Sequence, residues 1–557
     1  IASAEVIIAQ GALQGGVDPD NPSVLQFNGI PYAEPPVDDL RWAAPVPAAV
    51  WTGVRDSRDF GPECQQLRTG SAAFIRDIAN GLGLPAWKRE FALLVMAASP
   101  PPVESEDCLY LNVRSANVGG DTLQPVMVWI HGGSHQTGAG SLDLYQANGL
   151  VEHGIVVVTI NYRLGALGYL AHPALSVDDP RGVSGNYGLL DQIEALTWVR
   201  DNIEAFGGDP GNVTIFGESA GAQSVSEILA SPLGNGLYHK AVLQSGSSTY
   251  SANSLDAAIP GRLTMHEAGE AFIGDLAGPS PTAADLRAIP AEVIIARAGE
   301  RQDLEAYRKP TVDGVVLPRM IGDTILSGAI PDIPILAGYN ADEATLFYGD
   351  LQTPTILIPD VPEGMEARRA AMADAYGADN AAKLMAAYGM ETEDNWHAGA
   401  EDMLGDDIFG FHMRALGRVN AEAGAPTWMY HFTRVTPNAN QTLGAYHSAE
   451  IAFVFDSHLP FVDTVPADHV LTDQMTRYWA NFAKTGNPNG DGLPTWPAYG
   501  PGDEWLILDH DIRVEHGVRA EKLNIMETTL RERVAEAAPI LTPLSASGAV
   551  VSVGSVE

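Results

Sequence analysis

The stretch Val213-Thr214-Ile215-Phe216-Gly217-Glu218-Ser219-Ala220-Gly221-Ala222-Gln223-Ser224-Val225 decides the fold. Its first four residues are β-branched or apolar and read as a buried strand. From Ala222 onward the larger apolar residues recur at helical spacing. A strand therefore turns sharply into a helix with a serine at the bend. Such a G-x-S-x-G turn lifts the serine hydroxyl above a sheet, and its glycines let backbones approach closely. The helix start aims free N–H groups at the place where negative charge would develop. The competing reading of five such residues is a plain structural turn.

Outward from the elbow, residues 126–130, 155–160, 241–243 and 333–337 read as further buried strands. Residues 187–205 read as an amphipathic helix, and strands return at 428–432 and 505–508. Strands alternating with helices predict a mostly parallel α/β sheet covered on both faces. Helical segments at 261–305 and 364–423 look like insertions at carboxyl ends of strands, where open α/β sheets keep their ligand sites. One domain over 1–540 is expected, with insertions at about 65–105, 250–330 and 345–425 and a loose tail at 541–557.

Residues 5–30 suggest an antiparallel start, and the Pro-rich run 27–42 suggests a surface loop. Residues 84–99 predict a helix with Pro85 in its first turn and three prolines after it. Trp87, Phe91, Leu94, Val95 and Ala98 share one face of it, and Leu93 and Met96 make the other side apolar too. That pattern reads as a core helix or as the wall of an apolar cleft.

With 557 residues, 45% of them hydrophobic, the chain can bury a large core. Seventy acidic against 32 basic residues give a net charge of −38, which argues against nucleic acid or an anionic membrane as partner. The acidity fits solubility, a salty or acidic medium, or a field that draws cationic substrates. No run approaches the length of a transmembrane helix. Cys64 and Cys108 are too few for a disulfide scaffold and fit no zinc spacing, leaving one bridge or two buried thiols. The numbering opens at Ile1, not Met, which suggests a processed or trimmed N-terminus. With a bridge, that points to a secreted or periplasmic protein. Oligomeric state, monomer or dimer, stays open.

A nucleophilic serine needs a base, itself held by an acid. In α/β-hydrolases the chain order is serine, acid, histidine. Of 14 histidines, His447 stands out on a Gly-led loop, 444–450, beyond the strand at 428–432. His412 and His431 fall inside regular elements, and His458 and His469 read as loop residues. For the acid, Asp342 and Glu343 both follow the strand at 333–337. The oxyanion hole takes one N–H from Ala220 and the rest from Gly132-Gly133-Ser134, unless that run is only a tight turn.

These blocks, with Phe27 to Trp42, Cys64-Gln65-Gln66, 105–113, Asn161-Tyr162-Arg163, 185–192, Leu243-Gln244-Ser245-Gly246 and 478–488, resemble the type-B carboxylesterase family, which also contains the cholinesterases. The resemblance implies an α/β-hydrolase fold with Ser219 as nucleophile, Glu343 as acid and His447 as base. It implies an oxyanion hole at Gly133, Ser134 and Ala220, and a Cys64–Cys108 disulfide. Arg41 with Glu106 and Arg163 with Asp191 match the family's structural ion pairs. Glu218, Ser245 and Glu450 match polar positions behind the triad. The implied activity is hydrolysis of small to medium, largely apolar esters through an acyl-enzyme, without metal or organic cofactor. Hydrolysis of a specialised ester, amide or carbamate (xenobiotic, phthalate or toxin type) and a non-catalytic adhesion module are the rival readings. Ser134 replaces a family glycine and narrows the alcohol side, which counts against tertiary-alcohol esters. His135 either touches substrate or caps its loop. Asp38 replaces a glycine, with a neutral effect expected. The loop between the cysteines is longer than in cholinesterases, which leaves Trp87 a candidate by neighbourhood only.

Overall fold

Eleven strands form the central sheet of the computed structural model, which describes residues 4–541 apart from 69–75, 77, 99–100, 147, 252, 260–261, 302, 305–308 and 459. In chain order they are β1 (Gly16–Val17), β2 (Leu25–Pro31), β3 (Tyr110–Ser115), β4 (Gln124–Ile130), β5 (Val156–Ile160) and β6 (Gly208–Glu218). Then come β7 (Lys240–Gln244), β8 (Ile335–Asn340), β9 (Thr427–Phe432), β10 (Glu504–Leu508) and β11 (Arg513–His516). Their spatial order is β11-β10-β9-β8-β7-β6-β4-β5-β3-β2-β1. The block from β5 to β10 is parallel, and the pairings beyond it at either edge are antiparallel. A separate small sheet pairs Glu5–Ile8 with Gly11–Gln14 in antiparallel register.

The central strands are apolar along their middles because both faces are covered. On β4, Val126, Val128 and Ile130 enter one core, and Met127 and Trp129 enter the other. The order reverses at β4, since β5 lies on one side of it and β6 on the other. Chain crossovers therefore leave that point in opposite directions and open a crevice at the carboxyl ends of β4 and β6.

Several readings are corrected or refined. The run 27–42 is no surface loop throughout: β2 claims its start, and Tyr32 and Trp42 are buried. Tyr32 donates its hydroxyl to the Asn161 carbonyl at 2.7 Å, and the Trp42 indole donates to the Ala166 carbonyl at 2.8 Å. Asp38 in that run sits at φ 51°, so a side chain there costs roughly 1 kcal/mol that a glycine avoids. The helix Tyr187–Asn202 is buried on nearly all sides, not on one face. It is wedged between the elbow helix Ala220–Ala230, the turn Gly165–Tyr169 and the sheet.

The helix Ala86–Ala98 forms where expected, yet its apolar face is neither core nor cleft wall. Trp87, Phe91 and Leu94 are 69%, 60% and 65% exposed. The inward side is held by buried Ala92, by Lys88 paired with Asp463 and by Arg89 bonded to Asn80 at 2.7 Å. Of the expected tail, Leu541 instead ends a long helix, Ala520–Leu541, and 542–557 lie outside the described residues. Leu523, Met526, Leu530 and Val534 of that helix pack into the insertion cluster around Met372, Trp396 and Phe411.

Candidate active site

Ser219 stands at the tip of β6 with φ 56° and ψ −123°, a left-handed backbone that a non-glycine residue adopts only under restraint. Its N–H donates to the Gln244 carbonyl at the tip of β7, 2.9 Å away. The first turn of Ala220–Ala230 begins directly after it, so the Ala220 N–H has no partner earlier in the helix. A Cβ on Gly221 would lie 1.9 Å from the Ile130 carbonyl oxygen, so β4 and the elbow can meet only through glycine.

The chain leaving β4 lies across the crevice. Gly133 has φ 105°, and Ser134 and His135 both have φ 57°. Gly133 and Ser134 line a cavity of about 660 Å³ together with Ser219 and His447. His135 turns away: it is buried, and its Nε2 meets Ser224 Oγ at 3.0 Å behind the elbow helix. Its ring packs on Tyr169, so it braces the loop and does not line the cavity. Trp87 does not line it either.

Glu343 opens a short turn, Glu343–Leu346, past the end of β8. Its Oε1 accepts the Asn340 N–H at 2.6 Å, and its Oε2 meets His447 Nδ1 at 2.6 Å. Both side chains are buried. The loop carrying His447 is stitched to the acid's turn. The Asp342 N–H donates to the Ala445 carbonyl at 3.0 Å, and the Ala445 N–H donates to Asp342 Oδ2 at 2.7 Å. Asp342 thus anchors the histidine loop, and Glu343 meets the ring.

The other nitrogen of His447 faces Glu218: Nε2 lies 3.1 Å from Oε1. The Ser448 hydroxyl donates to the same oxygen at 2.5 Å. Ser219 Oγ makes no hydrogen bond to the imidazole among the described contacts. Burial of the His447 ring works against its charge, yet the carboxylates of Glu218 and Glu343 outweigh that and push the imidazole up to about 9. Burial pushes Glu218 up as well, against the pull of His447.

Behind them Glu450 is fully buried and accepts from Gln244 Nε2 at 3.0 Å and Asn340 Nδ2 at 2.6 Å. Burial pushes its carboxyl up. Ser245 is different: its N–H donates to the Gly338 carbonyl at 2.9 Å, and its buried hydroxyl has no partner among the described residues. It braces β7 against β8 without touching the imidazole.

Two aromatic neighbours of His447 were not legible in the sequence. Phe409 stacks on the ring at 4.6 Å between centroids and 21° between planes, and Phe347 meets it edge-on at 5.0 Å. Phe409 reaches the ring from a π-helical turn, Asp406–Gly410, between helices Glu393–Gly405 and Phe411–Glu422. Tyr388 donates its hydroxyl to Asp406 at 2.5 Å, and Tyr376 donates to Asp407 at 2.9 Å, holding that turn. Such single turns interrupt no hydrophobic period strongly enough to be read in advance.

The remaining expected features fall as follows. Cys64 and Cys108 form a disulfide. Arg41 pairs with Glu106, and buried Arg163 pairs with Asp191 at 2.7 Å. His412 and His431 lie in a helix and in β9, while His469 lies in the first turn of the helix Pro466–Thr485 and not in a loop. No helix among the described residues is long and apolar enough to cross a membrane.

The chain is also similar to known proteins over most of its length. A family model described as the carboxylesterase family matches residues 2–526. The chain is 35% identical over 498 residues to a fumonisin B1 esterase of Sphingopyxis macrogoltabida, covering 87% of this chain and 83% of that one. It is 35% identical to the para-nitrobenzyl esterase of Bacillus subtilis over 518 residues, 90% and 94% of the two chains. A cocaine esterase of Oryctolagus cuniculus is 34% identical over 552 residues, 93% and 94% of the two. Among solved structures, a PNB esterase aligns with a TM-score of 0.74 at 33% identity, covering 94% of this chain and all of that one. A carboxylesterase of Geobacillus stearothermophilus aligns with a TM-score of 0.74 at 32% identity, over 94% and 99%. The sheet is that of the α/β-hydrolase fold.

Proposed function

Because the chain belongs to the carboxylesterase family and is a carboxylic-ester hydrolase, we propose that it works by two-step acyl transfer through Ser219, His447 and Glu343. The observation that carries this reading is the 2.6 Å contact of His447 Nδ1 with Glu343, in one cavity with a serine held on a strained elbow. His447 Nε2 turns from Glu218 Oε1 to accept the Ser219 proton as Oγ attacks the ester carbonyl. The oxyanion forms against the N–H groups of Gly133, Ser134 and Ala220. The imidazolium, offset by Glu343, then protonates the leaving alcohol. Water, deprotonated by His447, attacks the acyl-enzyme and releases the acid. Glu218 and Glu450 act through His447 and Asn340, and residues to about 540 act as one unit.

A cavity of this size, with Leu67, Ile78, Leu144, Leu346 and Phe347 in its walls, suits small to medium, largely apolar esters. A specialised ester, as in the fumonisin B1 esterase relative, is the second reading. The disulfide favours an oxidising compartment, secreted or periplasmic. The test is Ser219→Ala with p-nitrophenyl acetate: kcat is expected to fall on the order of 10⁶-fold. Retained turnover would remove Ser219 from the mechanism.

A further inference from the structure

The cavity does not end at the elbow. It runs on to Arg434, Thr436, His458 and Thr464, which follow β9 in the chain. From β6 to β9 are three inter-strand steps of about 4.8 Å, so this end lies roughly 14 Å along the sheet from Ser219.

Two polar groups there are unspent. Arg434 is 95% buried by its relative exposure of 5%. Its Nε donates to Asp468 Oδ1 at 2.6 Å and its Nη2 to Asp468 Oδ2 at 2.5 Å, while its guanidinium lies 5.3 Å from the Phe453 ring centroid. Its Nη1 has no partner among the described contacts. Asp468 also accepts from His510 Nε2 at 2.8 Å and the Val465 N–H at 2.7 Å, which fix the carboxylate, and Arg434 with it, in place. Thr436, 8% exposed, has a buried hydroxyl with no partner among the described residues. The chain is extended here, and the Thr433 N–H still bonds the Leu508 carbonyl at 3.0 Å. Residues i and i+2 therefore share a face, which puts Arg434 and Thr436 together on the cavity and Val435 out toward solvent. His458 is already engaged with Thr472 at 2.7 Å, and Thr464 with His469 at 3.5 Å.

The Nη1 edge of a guanidinium already paired with Asp468 and the orphan hydroxyl of Thr436 are both donors that can take an acceptor from the cavity. Among the described lining residues Glu218, at the opposite end, is the only carboxylate. We propose that Arg434 and Thr436 form a distal subsite for a carboxylate carried by the substrate, so that esters bearing a remote carboxylate are preferred substrates. This rests on the triad reading, because it places the scissile ester at Ser219.

The test compares p-nitrophenyl half-esters of succinic, adipic and suberic acids with p-nitrophenyl alkanoates of matched length. Acetates of ω-hydroxy acids against acetates of matched alcohols cover the leaving-group side. Thr436→Val replaces an unsatisfied hydroxyl by a methyl, so the fold should hold. In at least one series it is expected to lower kcat/KM for the carboxylate-bearing member about five- to tenfold through KM, with the neutral member within about twofold. Arg434→Lys keeps the charge but loses the fork, and is expected to cost about tenfold or more on the same substrates only. Equal effects on charged and neutral members in both series, or none, would overturn the subsite and leave the triad standing. Loss of neutral-ester turnover together with no fluorophosphonate labelling of Ser219 in the wild-type protein would refute the triad reading, and the subsite with it.

Discussion

Replacing Glu343 by glutamine removes a charge while keeping shape. In the resting site Glu343 Oε2 stands 2.6 Å from His447 Nδ1. When His447 takes the serine proton, that carboxylate faces a full imidazolium. At an effective dielectric of about 20 the attraction at this distance is about 6 kcal/mol. The glutamine amide recovers a neutral hydrogen bond worth about 1–1.5 kcal/mol. The difference, about 4–5 kcal/mol, corresponds to roughly 10³–10⁴ in rate. Measured above the acid limb, where the resting ring is neutral, the imidazolium forms only as the serine proton is taken, so the loss should appear in kcat, with KM little changed. The assay is steady-state hydrolysis of p-nitrophenyl acetate and butyrate. Asp342→Asn is the control: Asp342 bonds the Ala445 N–H at 2.7 Å and never meets the ring, so that variant should stay within about tenfold of wild type. A Glu343→Gln enzyme within about tenfold of wild type, or an Asp342→Asn enzyme as crippled as predicted for Glu343→Gln, would refute the reasoning.

Three further outcomes follow from the geometry. kcat/KM should rise with pH as His447 loses its proton, and Glu218→Gln should move that acid limb to lower pH by about one unit or more, because an anion that favours the imidazolium is gone. A limb that stays put or moves up would show that Glu218 does not set the ring's basicity. Phe409→Leu should lower kcat by about three- to tenfold and shift the same limb, since the ring loses its stacked support. A change in thermal stability alone would reduce Phe409 to packing. Replacing both Cys64 and Cys108 by serine should cost about 4 kcal/mol, given their separation of 44 residues, read from the urea midpoint at unchanged slope. A loss below about 1 kcal/mol would say that packing alone holds the 65–105 loop.

The central strands were legible because continuous β-branched runs bounded by glycine leave few alternatives, and the elbow because Gly217 and Gly221 bracket a lone serine between strand and helix. The run 27–42 misled because its prolines signal irregular backbone, and irregular backbone need not be exposed: Trp42 is buried under the Gly165–Tyr169 turn. For the helix Ala86–Ala98, periodicity gave the element and its apolar face but could not say whether anything covers that face. The buried helix Tyr187–Asn202 shows the converse, since polar residues such as Asp191 and Gln192 are drawn inside by specific partners, Arg163 and Ser224. Position alone left Asp342 and Glu343 open and the family resemblance pointed to Glu343; the three-dimensional arrangement puts Glu343 on the ring and makes Asp342 the anchor of its loop. The contact of Glu218 with Nε2 and the stacking of Phe409 bring together residues more than a hundred positions from one another or set on a π-turn, and no local pattern encodes either.

The most direct measurement is to trap the enzyme with a fluorophosphonate and locate the adduct by mass spectrometry of the digested protein. One adduct per chain, carried by the peptide containing Ser219 and formed far more slowly in Glu343→Gln, is the outcome the mechanism requires. An adduct on any other residue, or an active enzyme that stays unmodified, would contradict it.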